Sequence, residues 1–205
     1  METRKKIKGK IKDGMELLWK KVDPEDLKPG DHIYSYRLYG LYTHHGIYEG
    51  GSYVIHFTNP KIMEAILSFS GGEPETMPAC PKCGYQKNTD RGVIRTCLDC
   101  FRQHGKKLHS IYNFNYGAPR WCYRLKRTCS TLSCDKSPEQ VIEVASNLLG
   151  SDRFGTYHVF TNNCEHFATY CKTGVCFSKQ AEFVKHLRKV EERFKKFVET
   201  LYPTQ

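Results

Sequence analysis

The sequence lacks any long apolar run. Nothing in its 205 residues approaches the roughly 18 consecutive apolar residues that a membrane-spanning helix needs. Nor does the N-terminus carry the hydrophobic segment of a secretory signal. Asp13, Glu16 and the absence of serine there also argue against an organelle transit peptide. Acidic residues are scarce: 22 Asp and Glu stand against 32 Lys and Arg, a formal charge of +10 that points to an acidic partner such as a lipid surface or nucleic acid. Without a signal, ten cysteines imply a reducing, cytoplasmic setting and metal or thiol chemistry rather than disulfides. What is present suffices for a fold. An apolar share of 39% with 13% aromatics excludes wholesale disorder, and the length suits one domain with insertions or one domain with a small satellite.

The two ends are basic. Among the first 22 residues, eight Lys and Arg oppose Glu2, Asp13 and Glu16, while Ile7, Ile11, Met15, Leu18 and Val22 recur at helical spacing. This predicts a basic amphipathic helix over 1–26, which either lies on an anionic membrane surface or docks on the domain by its apolar stripe. The segment 178–205 has the same character. Phe183, Leu187, Val190, Phe194, Val198 and Leu201 form the stripe of a second basic amphipathic helix, too charged to cross a bilayer. Basic residues on helices without interleaved stacking aromatics argue against nucleic acid as the partner.

The domain between them spans 27–177. His32 to Leu38 alternates like a strand, and Tyr42–Tyr48 and Tyr53–Thr58 read as a hairpin around Glu49-Gly50-Gly51. A three-residue loop pairs Tyr48 with Ser52 and sets His44 directly opposite His56, side by side on one face. His45 then points to the other face in a structural role. Cross-strand histidines are compatible with an incidental, a metal-binding or a catalytic role. Leu108–Tyr116 is dense in β-formers, and Trp121–Leu125 reads as another short strand. Ser137-Pro138-Glu139-Gln140 opens a helix with Val141, Val144, Ala145 and Leu148 on its buried stripe and Gly150 as its stop.

Two stretches carry chemistry. In Asn163-Cys164-Glu165-His166-Phe167, Asn163 caps a helix that Lys172 and Gly174 end, placing Cys164 in the first turn. Unpaired N–H groups and the positive dipole end there favour a thiolate, so Cys164 is either a nucleophile or a cysteine packed beneath the helix. His166, in the same turn, reads as structural. In the insertion 78–105, Cys80-Pro81-Lys82-Cys83-Gly84 and Cys97-Leu98-Asp99-Cys100 are C-x-x-C knuckles separated by 13 residues. That spacing suits tetrahedral Zn²⁺ in a closed structural site of Cys80, Cys83, Cys97 and Cys100, with His104 a substitute ligand and a redox pair the alternative. Cys122, Cys129 and Cys134 fall at no metal-type spacing and are packed or exposed thiols.

The order of motifs is specific. Pro29-Gly30-Asp31, His44-His45-Gly46-Ile47-Tyr48, Val54-Ile55-His56 and Asn163-Cys164-Glu165-His166-Phe167 resemble the P-G-D, H-x-G-I-Y, V-x-H and N-C-E-H-F series of the lecithin retinol acyltransferase family, its plant members most of all. The resemblance covers about Leu27 to Gly174. It implies an α+β fold, an antiparallel sheet with packed helices, in a permuted papain-like (NlpC-type) core interrupted by the zinc knuckle. It also implies Cys164 as nucleophile, His44 as general base and His56 as the residue orienting it, with no cofactor required for catalysis. N–H groups at the Cys164 helix tip would stabilise the oxyanion.

The expected function is a thiol-dependent acyltransferase or phospholipase A-like enzyme, peripheral to membranes, acting on lipid esters at an anionic surface through a thioester. The alternatives are a Cys-His peptidase or amidase of the NlpC type, and a catalytically idle interaction module.

Overall fold

The structure, a computed structural model, describes residues 21–37, 42–59, 78–87, 89–104, 107–121, 128–183, 185, 186 and 189. Strands β1 (Lys21–Val22), β2 (His32–Arg37), β3 (Tyr42–Gly50), β4 (Tyr53–Thr58), β5 (Gly92–Cys97) and β8 (Ile111–Asn113) form a six-stranded sheet in the order β1-β8-β2-β3-β4-β5. Every pairing in it is antiparallel. A two-stranded ribbon, β6 (Gln103–His104) with β7 (Lys107–Leu108), stands apart. The helices are α1 (Leu98–Arg102), α2 (Pro138–Asn147) and α3 (Cys164–Thr173).

Both faces of the sheet are covered, as strands that bury residues on either side require. On one face Ile47, Ile55, Phe57 and Val93 pack against Val141 and Ala145 of α2 and Phe167, Ala168 and Cys171 of α3. On the other, Ile33, Tyr48 and Val54 meet Leu27, Ile111 and the α1 side chains Leu98 and Phe101. The Pro29-Gly30-Asp31 turn fastens β2 to β3: Gly30 N–H donates to Tyr48 O at 2.8 Å, and Tyr48 N–H donates to Asp31 O at 2.8 Å. Any side chain at Gly30 would meet the Pro138 backbone, at 2.8 Å from Cα, so this turn abuts the start of α2.

Several elements differ from the sequence reading. The hairpin turns at Gly51 and Ser52, both at positive φ, with a register shift between Tyr48 and Gly50. His56 therefore pairs with Gly46, not with His44. Leu108–Tyr116 is not one strand but β7, β8 and an isolated bridge from Asn115 to Cys129. Arg120 and Trp121 are helical, and 122–127, with Cys122, lie outside the described residues. Cys129 is fully buried, and the Cys134 thiol donates to Lys172 O.

Helix α2 starts as expected, its Ser137–Gln140 capping box complete, but its cap is Leu148 rather than Gly150. Of the expected N-terminal helix, 1–20 lie outside the described residues. Val22, assigned to its stripe, sits in β1. The C-terminal segment is helical over 179–183, and most of the remaining tail is likewise outside. No helix among the described residues is long and apolar enough to cross a membrane.

Candidate active site

The N-C-E-H-F stretch builds its own helix tip. Asn163 Oδ1 accepts from the N–H groups of Glu165 at 3.0 Å and His166 at 3.2 Å, and His166 Nδ1 takes the Asn163 N–H at 3.2 Å, a reciprocal capping box. Phe167 fills the core beneath. The buried Glu165 carboxylate accepts from Ser178 Oγ at 2.7 Å and the Gln180 N–H at 3.0 Å, tying the start of the C-terminal helix to α3. Gln180 in turn brackets Thr43, accepting its N–H at 2.8 Å and donating to its carbonyl at 3.0 Å. The motif is thus mostly scaffolding around one thiol, and His166 has the structural place expected of it.

That thiol meets the sheet at the start of β3. Cys164 Sγ lies 2.9 Å from Tyr42 Oη and 3.7 Å from Thr43 O, and Tyr42 Oη is 3.0 Å from Tyr157 Oη. Cys164 is fully buried. Burial pushes its thiol up to about 11, against the pull of the Tyr42 and Tyr157 hydroxyls and the His45 N–H, which face the sulfur. The resting sulfur is therefore a thiol, not the thiolate that the helix dipole alone would favour. The capping box takes the Glu165 and His166 N–H groups, two of those at the helix tip that the sequence offered to an oxyanion.

His44 and His56 come together on the opposite face from His45. His44 Nε2 is 2.9 Å from His56 Nδ1, and His56 Nε2 is 3.1 Å from Thr96 Oγ1. The rings meet edge to face at 4.9 Å. They do so diagonally, since His44 and Gly46 share a face and Gly46 is the residue opposite His56. Gly46 makes the space: a Cβ there would stand 3.0 Å from Phe101 Cε2 and 3.1 Å from His56 Cβ. Burial holds both imidazoles neutral, His56 down at about 3 and His44 well below its ordinary value, with Arg37 beside them acting in the same direction.

Among the described residues, no hydrogen bond joins Cys164 to His44. The sulfur touches Tyr42 and Thr43, the two residues that precede His44 on β3. His44 keeps Nδ1 outside its pairing with His56.

Sequence reasoning passed over Tyr42, Tyr157, Thr96 and Arg37, which no motif spacing marks. Arg37 is buried, and its guanidinium donates to Ser35 Oγ at 2.8 Å, to Tyr36 O at 3.2 Å and to Phe101 O. No carboxylate pairs with it among the described residues, and burial brings it down to about 10.

A second cluster adjoins this one. The sulfurs of Cys80, Cys83, Cys97 and Cys100 lie within 4.8 Å of one another, with Cys80 Sγ 3.9 Å from Cys97 Sγ and Cys83 Sγ 3.7 Å from Cys100 Sγ. Metal–sulfur bonds of about 2.3 Å place tetrahedral ligands about 3.8 Å apart, so the set is compatible with zinc. The knuckle turn forms as expected, Gly84 N–H donating to Cys80 O at 2.7 Å. The His104 side chain lies outside the described residues.

Comparison with known proteins gives the same outline. A family profile described as Lecithin retinol acyltransferase matches residues 25–177. Protein LEAD-SENSITIVE 1 of Arabidopsis thaliana is 39% identical over 170 residues, covering 78% of this chain and 63% of the relative. Lecithin retinol acyltransferases of Bos taurus and Homo sapiens are 31% and 30% identical over 140 residues, covering 68% of this chain and 53% of each relative. The chain spans about half to two thirds of the length of the curated relatives it matches. With the motifs in order, the sheet and helices formed around them and a match across most of its length, the chain belongs to the lecithin retinol acyltransferase family.

Proposed function

We propose that this chain is a thiol-dependent acyltransferase or phospholipase A-like hydrolase acting on lipid esters, with Cys164 as nucleophile, His44 as general base and His56 as the ring that orients it. The observation that carries the reading is the meeting of a helix-tip cysteine with the β3 residues next to a buried histidine pair. A thiol borne on a helix and an imidazole borne on a strand are also what a permuted papain-like core supplies.

The hydrogen bonds allow one consistent proton path. With His44 Nε2 donating to His56 Nδ1, and His56 Nε2 donating to Thr96 Oγ1, Nδ1 of His44 keeps its lone pair. The Cys164 S–H proton passes to that nitrogen, and the thiolate attacks the ester carbonyl carbon. The Tyr42 hydroxyl, released from the sulfur, donates to the oxyanion. The C–O bond breaks, the imidazolium returns its proton to the departing alcohol, and an acyl thioester on Cys164 remains. Water, an amine or an alcohol then attacks the thioester, giving His44 its proton, and the thiol is restored. A base of low pKa and a thiol of high pKa make the first proton transfer uphill at rest, so binding of the ester has to bring Nδ1 and sulfur together.

Incubation with a short-chain phosphatidylcholine, then mass spectrometry of the Cys164 peptide, tests this. The expected result is an acyl adduct on Cys164 that is absent from Cys164→Ala. Absence of both adduct and ester turnover would contradict it.

One observation favours a second reading, an idle interaction module: the sulfur is wholly buried and hydrogen-bonded to Tyr42 rather than to His44. A peptidase or amidase of the NlpC type would instead cleave small amides with indifference to liposomes. The basic termini and a charge of +10 support an anionic lipid surface as the place of action.

A further inference from the structure

The insertion does more than decorate the sheet. Helix α1 has five residues and lies between Cys97, its N-cap, and the Gln103 C-cap, with Cys100 inside it. A helix that short does not hold its own shape in water. It is fixed instead from outside: Leu98 N–H donates to Ser52 O at 2.8 Å, and Cys97 and Cys100 reach the sulfurs of Cys80 and Cys83. Immediately after Cys100 comes Phe101, buried, whose ring lies 5.1 Å from that of His44 and 5.5 Å from that of His56. Its carbonyl is an acceptor of the Arg37 guanidinium. Tyr85, two residues past Cys83, faces His56 from the other knuckle with ring centroids at 6.5 Å.

We propose that the tetrathiolate site binds a soft divalent ion of the zinc class and that its occupancy positions the His44–His56 pair through Phe101 and Tyr85. Binding converts four thiols to thiolates and releases their protons. It closes the loop between the knuckles, seating α1 on the hairpin. Loss of the ion frees α1, and with it the aromatic floor that holds two buried rings at hydrogen-bonding distance. Phe101 and Tyr85 are positioning residues in this scheme. The consequence for turnover rests on the function proposed above, whereas the effect on ring geometry does not.

The test uses the full chain, loaded with Zn²⁺ or Co²⁺ and then stripped by a chelator. One ion per chain and a Co²⁺–thiolate absorption band lost in Cys83→Ser are expected. Nitrogen NMR of the imidazoles should then show His44 and His56 shifting on stripping, while His32 and His45 on the opposite face keep their signals. Phe101→Ala should retain its ion, reproduce the His44 and His56 shifts and lower kcat by about tenfold or more with little change in KM. Unchanged His44 and His56 signals in both stripped protein and Phe101→Ala would overturn the coupling. Failure to bind either ion would overturn the site. If the wild type turns over no ester while the signals shift as described, the function proposed above fails and this coupling stands.

Discussion

Burial, not the helix tip or the Tyr42 hydroxyl, decides what Cys164 is at rest. The helix dipole is worth about 0.3–1 kcal/mol, less than one pKa unit, whereas burial moves a group by up to about 3–5 units. Burial wins, and the thiol stands at about 11. Sequence placed Cys164 and its Asn163 cap correctly, because capping is local and the residue types announce it. It could not give the ionisation state, which depends on how deeply the sheet and α3 bury the sulfur. Nor did it mark Tyr42, an ordinary strand residue until β3 is laid beside α3. Tyr42→Phe removes the hydroxyl partner of the sulfur and, under the proposed mechanism, the oxyanion donor, and should lower kcat by about 10²-fold with the fold intact, measured as ester turnover. The pH profile follows from the histidines. A base with an ordinary pKa near 6.5 loses half its activity at that pH, but the lowered pKa of His44 keeps it unprotonated there. The expected kcat/KM shows no histidine-type fall between about pH 7.5 and 5.5; a half-maximal point near 6.5 would contradict the buried neutral base.

At the scale of elements, the β3–β4 hairpin is where sequence and structure part most instructively. The two strands were legible from alternation, and so was the shared face of His44 and His56. The turn was not. A two-residue turn at Gly51 and Ser52 pairs Gly50 with Tyr53, three positions from the expected register, and the bulge between Tyr48 and Gly50 takes one position back, so the net shift is two. An even shift keeps every side chain on its face, so the histidines still meet, on a diagonal of about 7–8 Å that imidazoles can bridge. An odd shift would have separated them. The diagonal gives Gly46 a role: its missing side chain leaves room for Phe101 and His56. Gly46→Ala would place Cβ 2.7 Å from Val54 Cγ1, and should destabilise the fold by about 1–3 kcal/mol in urea titrations. It should also cost activity by displacing His56. An unchanged midpoint would show the rings to be less tightly held than the packing implies.

For the whole molecule, a sheet covered on both faces buries an unusual set of titratable groups. His32, His44, His45 and His56 are all held below 6.5 in the folded protein, His45 and His56 at about 3. The unfolded chain thus binds more protons than the native one below pH 6.5, and stability is lost as pH falls through that window. The expected slope is about 1.4 kcal/mol per histidine per pH unit, opposed by the raised carboxyl of Glu165. Urea midpoints should drop clearly between pH 7 and 5.5, and a flat response would contradict the neutral burial of these rings. The α+β class, the order of the motifs and the thiol cluster were all legible before the fold; the coverage of the second face by α1 was not, because five residues carry no periodicity of their own. The central claim joins the two faces at one point, the start of β3. Its most direct measurement is lipid-ester turnover on anionic liposomes by the wild type, Cys164→Ala and His44→Ala. The account predicts turnover by the wild type, none above background from Cys164→Ala, and a loss of about 10²-fold or more from His44→Ala. Equal turnover by all three proteins, or none by the wild type, would contradict it.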